Sequence, residues 1–273
     1  MNEIGYVASR EMKIGFRNPW AYSFTALFAL FMFSLLLINT QSYVQGYTGS
    51  SSTMINLALY LLPLMALMLG SFSLTGEKEE GNWELLSTYP LRTWTFLTGK
   101  YIGLSAVLMV IVSFGFGLSG VASWLLGGAF AAVTYFQLLI FSLCLSLFFL
   151  GAAMLIGSIA RNRWQALTMA VGVWFFSIIA WPAILIALLG TLPYSWMKTA
   201  VTILTFINPA ELTRLFTVVK LGGGSTLGPE YYQWMDWIRS PWGTPAFFGV
   251  MLLWIGVTQA ISYYLWERGR GRG

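Results

Sequence analysis

Residues 101–160 read YIGLSAVLMVIVSFGFGLSGVASWLLGGAFAAVTYFQLLIFSLCLSLFFLGAAMLIGSIA, sixty consecutive positions without an Asp, Glu, Lys or Arg. Such a group costs about 2.5–3.5 kcal/mol at a bilayer centre on insertion scales, so a run this long without one marks a hydrocarbon environment. One span takes about 20 residues. The run therefore holds two spans, with Gly127-Gly128 supplying the turn between them. It shows none of the alternation of apolar and polar residues that a barrel strand requires, and backbone amides in hydrocarbon must be satisfied internally, so both spans read as helices.

Three further charge-free runs flank it: Asn18–Gly76, Trp164–Met197 and Ser240–Trp266. The first again holds two spans, separated by the turn-forming stretch GYTGSSST at 46–53, and the others hold one each. The predicted architecture is an all-α polytopic membrane protein with six transmembrane helices, at 20–38, 55–74, 101–126, 134–159, 166–189 and 246–266. These form one transmembrane domain over 1–273. The remaining parts are an N-terminal interface segment (1–19), a cytoplasmic loop (76–100) and an external loop (190–245).

Composition agrees. Across 273 residues 57% are hydrophobic and 9% charged, against about 25% charged in an ordinary soluble domain. Residues outside the spans leave no room for a separate catalytic domain of roughly 100–150 residues. With no histidine and one cysteine, Cys144, the chain has neither an intrachain disulfide nor a zinc or copper ligand set. No cofactor is expected.

Basic residues orient the spans. With the N-terminus inside, the cytoplasmic set is Arg10, Lys13, Arg17, Lys78, Arg92, Lys100, Arg161, Arg163, Arg268, Arg270 and Arg272, leaving Lys198, Arg214, Lys220 and Arg239 outside in one long loop. Both termini are thus predicted cytoplasmic. Trp20, Trp94, Trp124, Trp164 and Trp266 fall near the predicted interfaces, as an aromatic belt would. The net charge of +5 is accounted for by topology, and no nucleic-acid partner is expected. The first apolar run begins late, is of full span length and lacks a small-residue cleavage site, so it reads as a retained helix.

Three segments outside the hydrocarbon stand out. In the first, Ile4, Ala8, Met12 and Phe16 form an i, i+4 row opposite Arg10, Lys13 and Arg17. That pattern describes a basic amphipathic helix lying at the membrane surface. The second, Gly76–Lys100, reads GEKEEGNWELLSTYPLRTWTFLTGK and carries Glu77, Glu79, Glu80 and Glu84. Gly81 permits a break, Asn82 can cap a short helix from Trp83 to Thr88, and Pro90 stops it. Exposed Trp83, Leu85 and Leu86 beside acids make a docking element for a cytosolic partner, or simply a solvated turn. In the third, Asn208 caps a helix, Pro209 takes its first position and Glu211 sits near its positive end. Leu212, Leu215, Phe216 and Val219 then recur on one face, describing an amphipathic helix on the external side.

Within the spans, Pro63 and Pro182 remove backbone donors and favour kinks, either hinges or static bends. Gly99 and Gly103 form a GxxxG that permits close packing, more readily within the chain than between copies. Absence of charged residues from the spans argues against an ion-coupled carrier. Absence of GxxxxGK[ST] places ATP chemistry on another chain, and without His or a nucleophile–base pair an intramembrane enzyme is disfavoured.

The 76–100 stretch resembles the signature of ABC-2-type permeases, the membrane subunits of a class of ATP-binding-cassette exporters. The resemblance is carried by Gly76, Glu77, Lys78, Glu79 or Glu80, Gly81, Glu84, Leu85, Leu86, Pro90, Leu91, Gly99 and Lys100, with Asn82 replacing the usual Thr. It extends to Arg10-Glu11, Arg17-Asn18, the six-span layout and Asn208-Pro209. Within the class it is most similar to the branch containing the permease of the nitrous-oxide-reductase maturation system. The resemblance implies a separate ATPase subunit seated on a coupling helix formed by Glu77, Glu79, Glu80, Trp83, Glu84, Leu85, Leu86 and Pro90, flanked by the interface helix. It implies a second copy or homologous permease, a cell-membrane location and export of a substrate that the motif does not identify. A non-transporting membrane scaffold or maturation factor is the alternative.

Overall fold

The computed structural model describes residues 3–38, 47–81, 92–125, 132–228 and 231–270. They form helices with no β-strand among the described residues. In chain order these are α1 (Glu3–Gly15), α2 (Pro19–Ile38), α3 (Gly49–Glu79), α4 (Thr93–Leu125), α5 (Ala132–Ile159), α6 (Arg163–Trp174), a π-helical turn (Phe175–Ala180) and α7 (Trp181–Thr191). There follow α8 (Tyr194–Ile207), α9 (Pro209–Lys220), a 3-10 turn (Gly223–Thr226), α10 (Tyr232–Arg239) and α11 (Gly243–Arg270).

Five helices among the described residues are long and apolar enough to cross a membrane: α3, α4, α5, the continuous α6–π–α7 helix and α11. The apolar stretch Pro19–Ser34 of α2 is shorter. Several helices run past the spans expected from hydropathy. Helix α3 starts at Gly49, six residues before the expected 55, because Thr48 caps it: its side chain accepts from the Ser51 amide while Ser51 accepts from the Thr48 amide. At its other end α3 continues to Glu79, and α4 begins at Thr93, so much of the stretch expected as loop is helix. The helix expected at 83–88 lies outside the described residues. Helix α8 was not anticipated.

Helices α3 and α5 form the centre, with two-thirds of their apolar stretches buried, while only 11% of the α6–α7 stretch is covered by protein. Small residues set the approach. A Cβ on Gly70 would lie 2.6 Å from the Ala153 Cβ, and one on Gly157 would lie 2.7 Å from the Leu74 Cβ. Three buried hydroxyls of this pair are satisfied along their own helices: Ser71 donates to the Leu67 carbonyl (2.6 Å), and Ser146 and Ser158 to those of Ser142 and Met154 (both 2.8 Å).

The GxxxG at Gly99 and Gly103 seats α1. Val7 fills the space over Gly99, while a Cβ at Gly103 would meet the Ala8 carbonyl oxygen at 2.6 Å and the Glu11 Cβ at 2.7 Å. The buried strip of α1 is consequently Val7, Ala8, Glu11 and Gly15, rotated from the expected row, and Phe16 at its end stays exposed. Gly103→Val forces a side chain against backbone, which has nowhere to move. The expected result is a loss of about 1–3 kcal/mol, together with release of α1, read as new tryptic cleavage at Arg10 and Lys13.

The two prolines differ. Helix α3 keeps its α-helical course through the buried Pro63, which gives no N–H to the ladder. Pro182 follows the π-helical turn instead. In an i→i+5 register the Ser177 carbonyl faces residue 182, a proline with no N–H to give. Asn208 supplies the missing donor from another helix, its Nδ2 lying 2.7 Å from that carbonyl oxygen. Its Oδ1 accepts from the Ala210 amide at 2.9 Å and so caps α9. Asn208→Ala removes both bonds, and a loss of about 2 kcal/mol is expected from the lost cap and the orphaned carbonyl. Asn208→Ser, which still caps, should melt between the two in a thermal unfolding series.

Helix α9 is more enclosed than a surface helix. Leu212, Leu215 and Val219 are buried, but so are Thr213 and Thr217 on another side, and Phe216 stacks on Phe247 of α11 at 4.1 Å. Glu211, 5% exposed, holds Arg214 in a bidentate pair at 2.6 and 3.0 Å.

Candidate functional site

Charge gathers at the end of the bundle where α3 stops and α4 starts. Lys100, 1% exposed, sits about two turns inside α4. Its Nζ donates to Glu11 Oε2 at 2.8 Å and to Ser73 Oγ at 2.8 Å, and lies 3.2 Å from Glu77 Oε1. Glu77 Oε1 also accepts from Arg10 Nη1 at 2.9 Å. The Ser73 hydroxyl donates in a short bond to the other oxygen of Glu11. Two cations and two carboxylates, all buried except the partly exposed Arg10, thus cancel and tie α1, α3 and α4 together. Burial works to lower the Arg10 pKa, but the Glu77 hydrogen bond and charge outweigh it and hold the guanidinium above its ordinary value.

The last residues of α3 reach the other helices too. Lys78 Nζ donates to the carbonyls of Gly157 (2.9 Å), Ser158 (2.9 Å) and Ala160 (2.8 Å), closing the C-terminus of α5 where its own ladder runs out. The same ammonium lies 4.8 Å over the Trp266 ring of α11. Arg163, at the start of α6, gives its backbone amide to Glu79 (2.7 Å) and its guanidinium to Glu79 (3.2 Å) and Glu80 (2.9 Å). Asn162 caps α6 through the Gln165 amide at 2.8 Å. Thr93, opening α4, donates to Glu267 of α11. Residues 76–80 are therefore bonded to α1, α4, α5 and α6 and packed on α11 immediately before the chain enters 82–91.

Of the residues expected to dock a partner, Glu77 points inward, Glu79 and Glu80 are partly exposed and engaged with Arg163, and Trp83, Glu84, Leu85, Leu86 and Pro90 lie outside the described residues. Lys13, on α1, and Arg17, in the turn between α1 and α2, are exposed and make no ion pair among the described residues; Arg10 does. Sequence reasoning missed the part played by Glu11, Ser73, Lys100 and Arg163. One signal for Glu11 was available, namely an acid three and four residues after Ala8 and Val7, on the face that packs.

Long apolar helices packed around a central pair, with charged residues kept to the segments near their ends, define a multi-pass α-helical membrane protein. Residues 6–269 match the model of the ABC-2 family transporter proteins, and the chain belongs to that family. It is 29% identical over 289 residues to the Probable ABC transporter permease protein NosY of Stutzerimonas stutzeri, covering 98% of this chain and 99% of that protein. The protein of the same name from Pseudomonas aeruginosa is 29% identical over 280 residues, with 96% and 97% covered. The family makes this chain a membrane permease component of an ABC transporter, the kind of subunit that works with an ATPase partner.

Proposed function

We propose that the chain is the permease of an ABC exporter in the cytoplasmic membrane, with α2 as the first of six spans and both termini in the cytoplasm. It pairs with a second copy or a homologous permease and with two ATPase subunits. Residues 83–88 form the coupling helix, presenting Trp83, Glu84, Leu85 and Leu86 to the ATPase, with Glu79 and Glu80 at its root and Pro90 at its end. Glu77 serves from inside, holding that root to α1 and α4. Arg10, Lys13 and Arg17 belong to the flanking interface helix. Pro63 and Pro182 mark places where the spans bend.

One observation carries this reading: residues 76–80 are bonded to α1, α4, α5 and α6 just before the chain enters the coupling segment. A push delivered there by ATPase closure moves helices as bodies rather than bending a loop, as a two-state rigid-body transition requires. Co-reconstitution with the ATPase in vesicles tests it, with ATP-dependent movement of cargo as the expected result.

The resemblance to the branch containing the permease of the nitrous-oxide-reductase maturation system supports a second reading, a membrane scaffold or maturation factor that uses the same docking without transport. ATP hydrolysis stimulated by the permease, with no cargo crossing the bilayer, would select that reading over export.

A further inference from the structure

A cavity of 350 Å³ opens beside the charge cluster, at the elbow between α1 and α2. Its volume falls within the range of about 300–1,000 Å³ that accommodates organic ligands rather than single waters or ions. Its lining is divided. Ile14, Trp20, Leu69 and Phe72 form an apolar side, with the half-exposed Trp20 set edge-on to Phe72 at 6.1 Å. The polar side carries one uncompensated charge. Arg10, Lys100 and Arg163 line it, but each is already paired, with Glu77, Glu11 and Glu80 respectively. Arg17 is the remaining cation of the lining and makes no ion pair among the described residues.

We propose that this cavity binds the phosphodiester headgroup of a single membrane phospholipid. The phosphate carries one negative charge and answers the single excess charge at Arg17. The apolar side, contiguous with the start of α2, receives the glycerol and the first part of the acyl chains, for which a free phosphate ion has no use. Trp20 lies where an aromatic ring is favoured, between headgroups and hydrocarbon. A bound lipid would thereby wedge between α1 and α2 against the same α3 end that carries Glu77. The proposal rests on the chain's place in a membrane and not on transport, so lipid binding and ATP-driven flux are read out separately.

Native mass spectrometry of the full chain, titrated with phosphatidylglycerol and separately with inorganic phosphate, tests it. The expected result is one tightly held phosphatidylglycerol, weakened about fivefold by Arg17→Gln, and also weakened by Trp20→Ala, which removes the apolar contact. Lys13→Gln, four residues earlier at the end of α1 and outside the cavity, should leave binding unchanged, and excess inorganic phosphate should not displace the lipid. Equal losses from Lys13→Gln and Arg17→Gln would mean diffuse attraction to the membrane surface and overturn the site. Displacement by inorganic phosphate would make it a free-anion site, and unaltered lipid binding in Arg17→Gln would remove the proposal altogether.

Discussion

Lys100→Met lowers the stability of the folded chain by about 3–5 kcal/mol, the cost of stripping one partner from a buried charge cluster. The lysine ammonium is the one group that touches Glu11, Ser73 and Glu77 together. Its loss leaves two carboxylates inside the protein with Arg10 alone to balance them. Methionine preserves most of the volume, so a cavity contributes little and the change reports charge. A sign reversal makes the test sharp. In the wild-type chain Glu11→Gln is destabilising, because it leaves Lys100 with one carboxylate fewer. In the Lys100→Met background the same change is stabilising, because it removes a charge that has lost its partner. Thermal unfolding of the four proteins in detergent measures this coupling. An identical Glu11→Gln effect in both backgrounds would show that the two groups do not act as a unit.

Trp83→Ala with Leu86→Ala separates the permease from its ATPase while leaving the permease as stable as before. A tryptophan anchor at the centre of an interface can cost about 2 kcal/mol or more when truncated, and loss of the neighbouring leucine adds to it. Together they are expected to take a co-purifying ATPase to one that no longer survives a pull-down, with loss of permease-stimulated ATP hydrolysis. Glu77→Gln should behave in the opposite way. Glu77 is buried among the permease's own helices, so its replacement lowers the melting temperature first and affects ATPase binding only through the fold. Comparing the two variants in both assays divides the acidic stretch into a part that holds the permease together and a part that meets its partner. A double alanine variant that binds the ATPase normally would remove the coupling helix from the proposal.

Much of the fold was legible because hydrocarbon is an exacting solvent. A charged residue in a span is so costly that the charge-free runs outline the helices directly, and five of the six expected segments coincide with helices long and apolar enough to cross. Local chemistry was equally plain around Asn208-Pro209, where the cap and the first helical position fall as their side chains demand. The ends of helices were harder. Thr48 and Ser51 extend α3 by a capping box within a stretch that composition describes as a turn. The GxxxG at Gly99 announced close packing without naming its partner, and that partner is α1.

The candidate site was legible only in part. Counting acids along 76–100 treats Glu77, Glu79 and Glu80 as equivalent, yet one is buried against Lys100 and the others sit near the surface with Arg163. Nothing in their spacing separates them, because the difference is made by residues up to 84 positions away, as in the pair of Arg163 with Glu79. Sequence by itself determined that the chain is a bundle of apolar helices with its charges held outside the hydrocarbon, since transfer free energy is additive and local. Which of those charges cancel one another was decided by tertiary structure alone. Pairing inside a protein depends on distance and desolvation across helices, and neither quantity is written in any one stretch of chain.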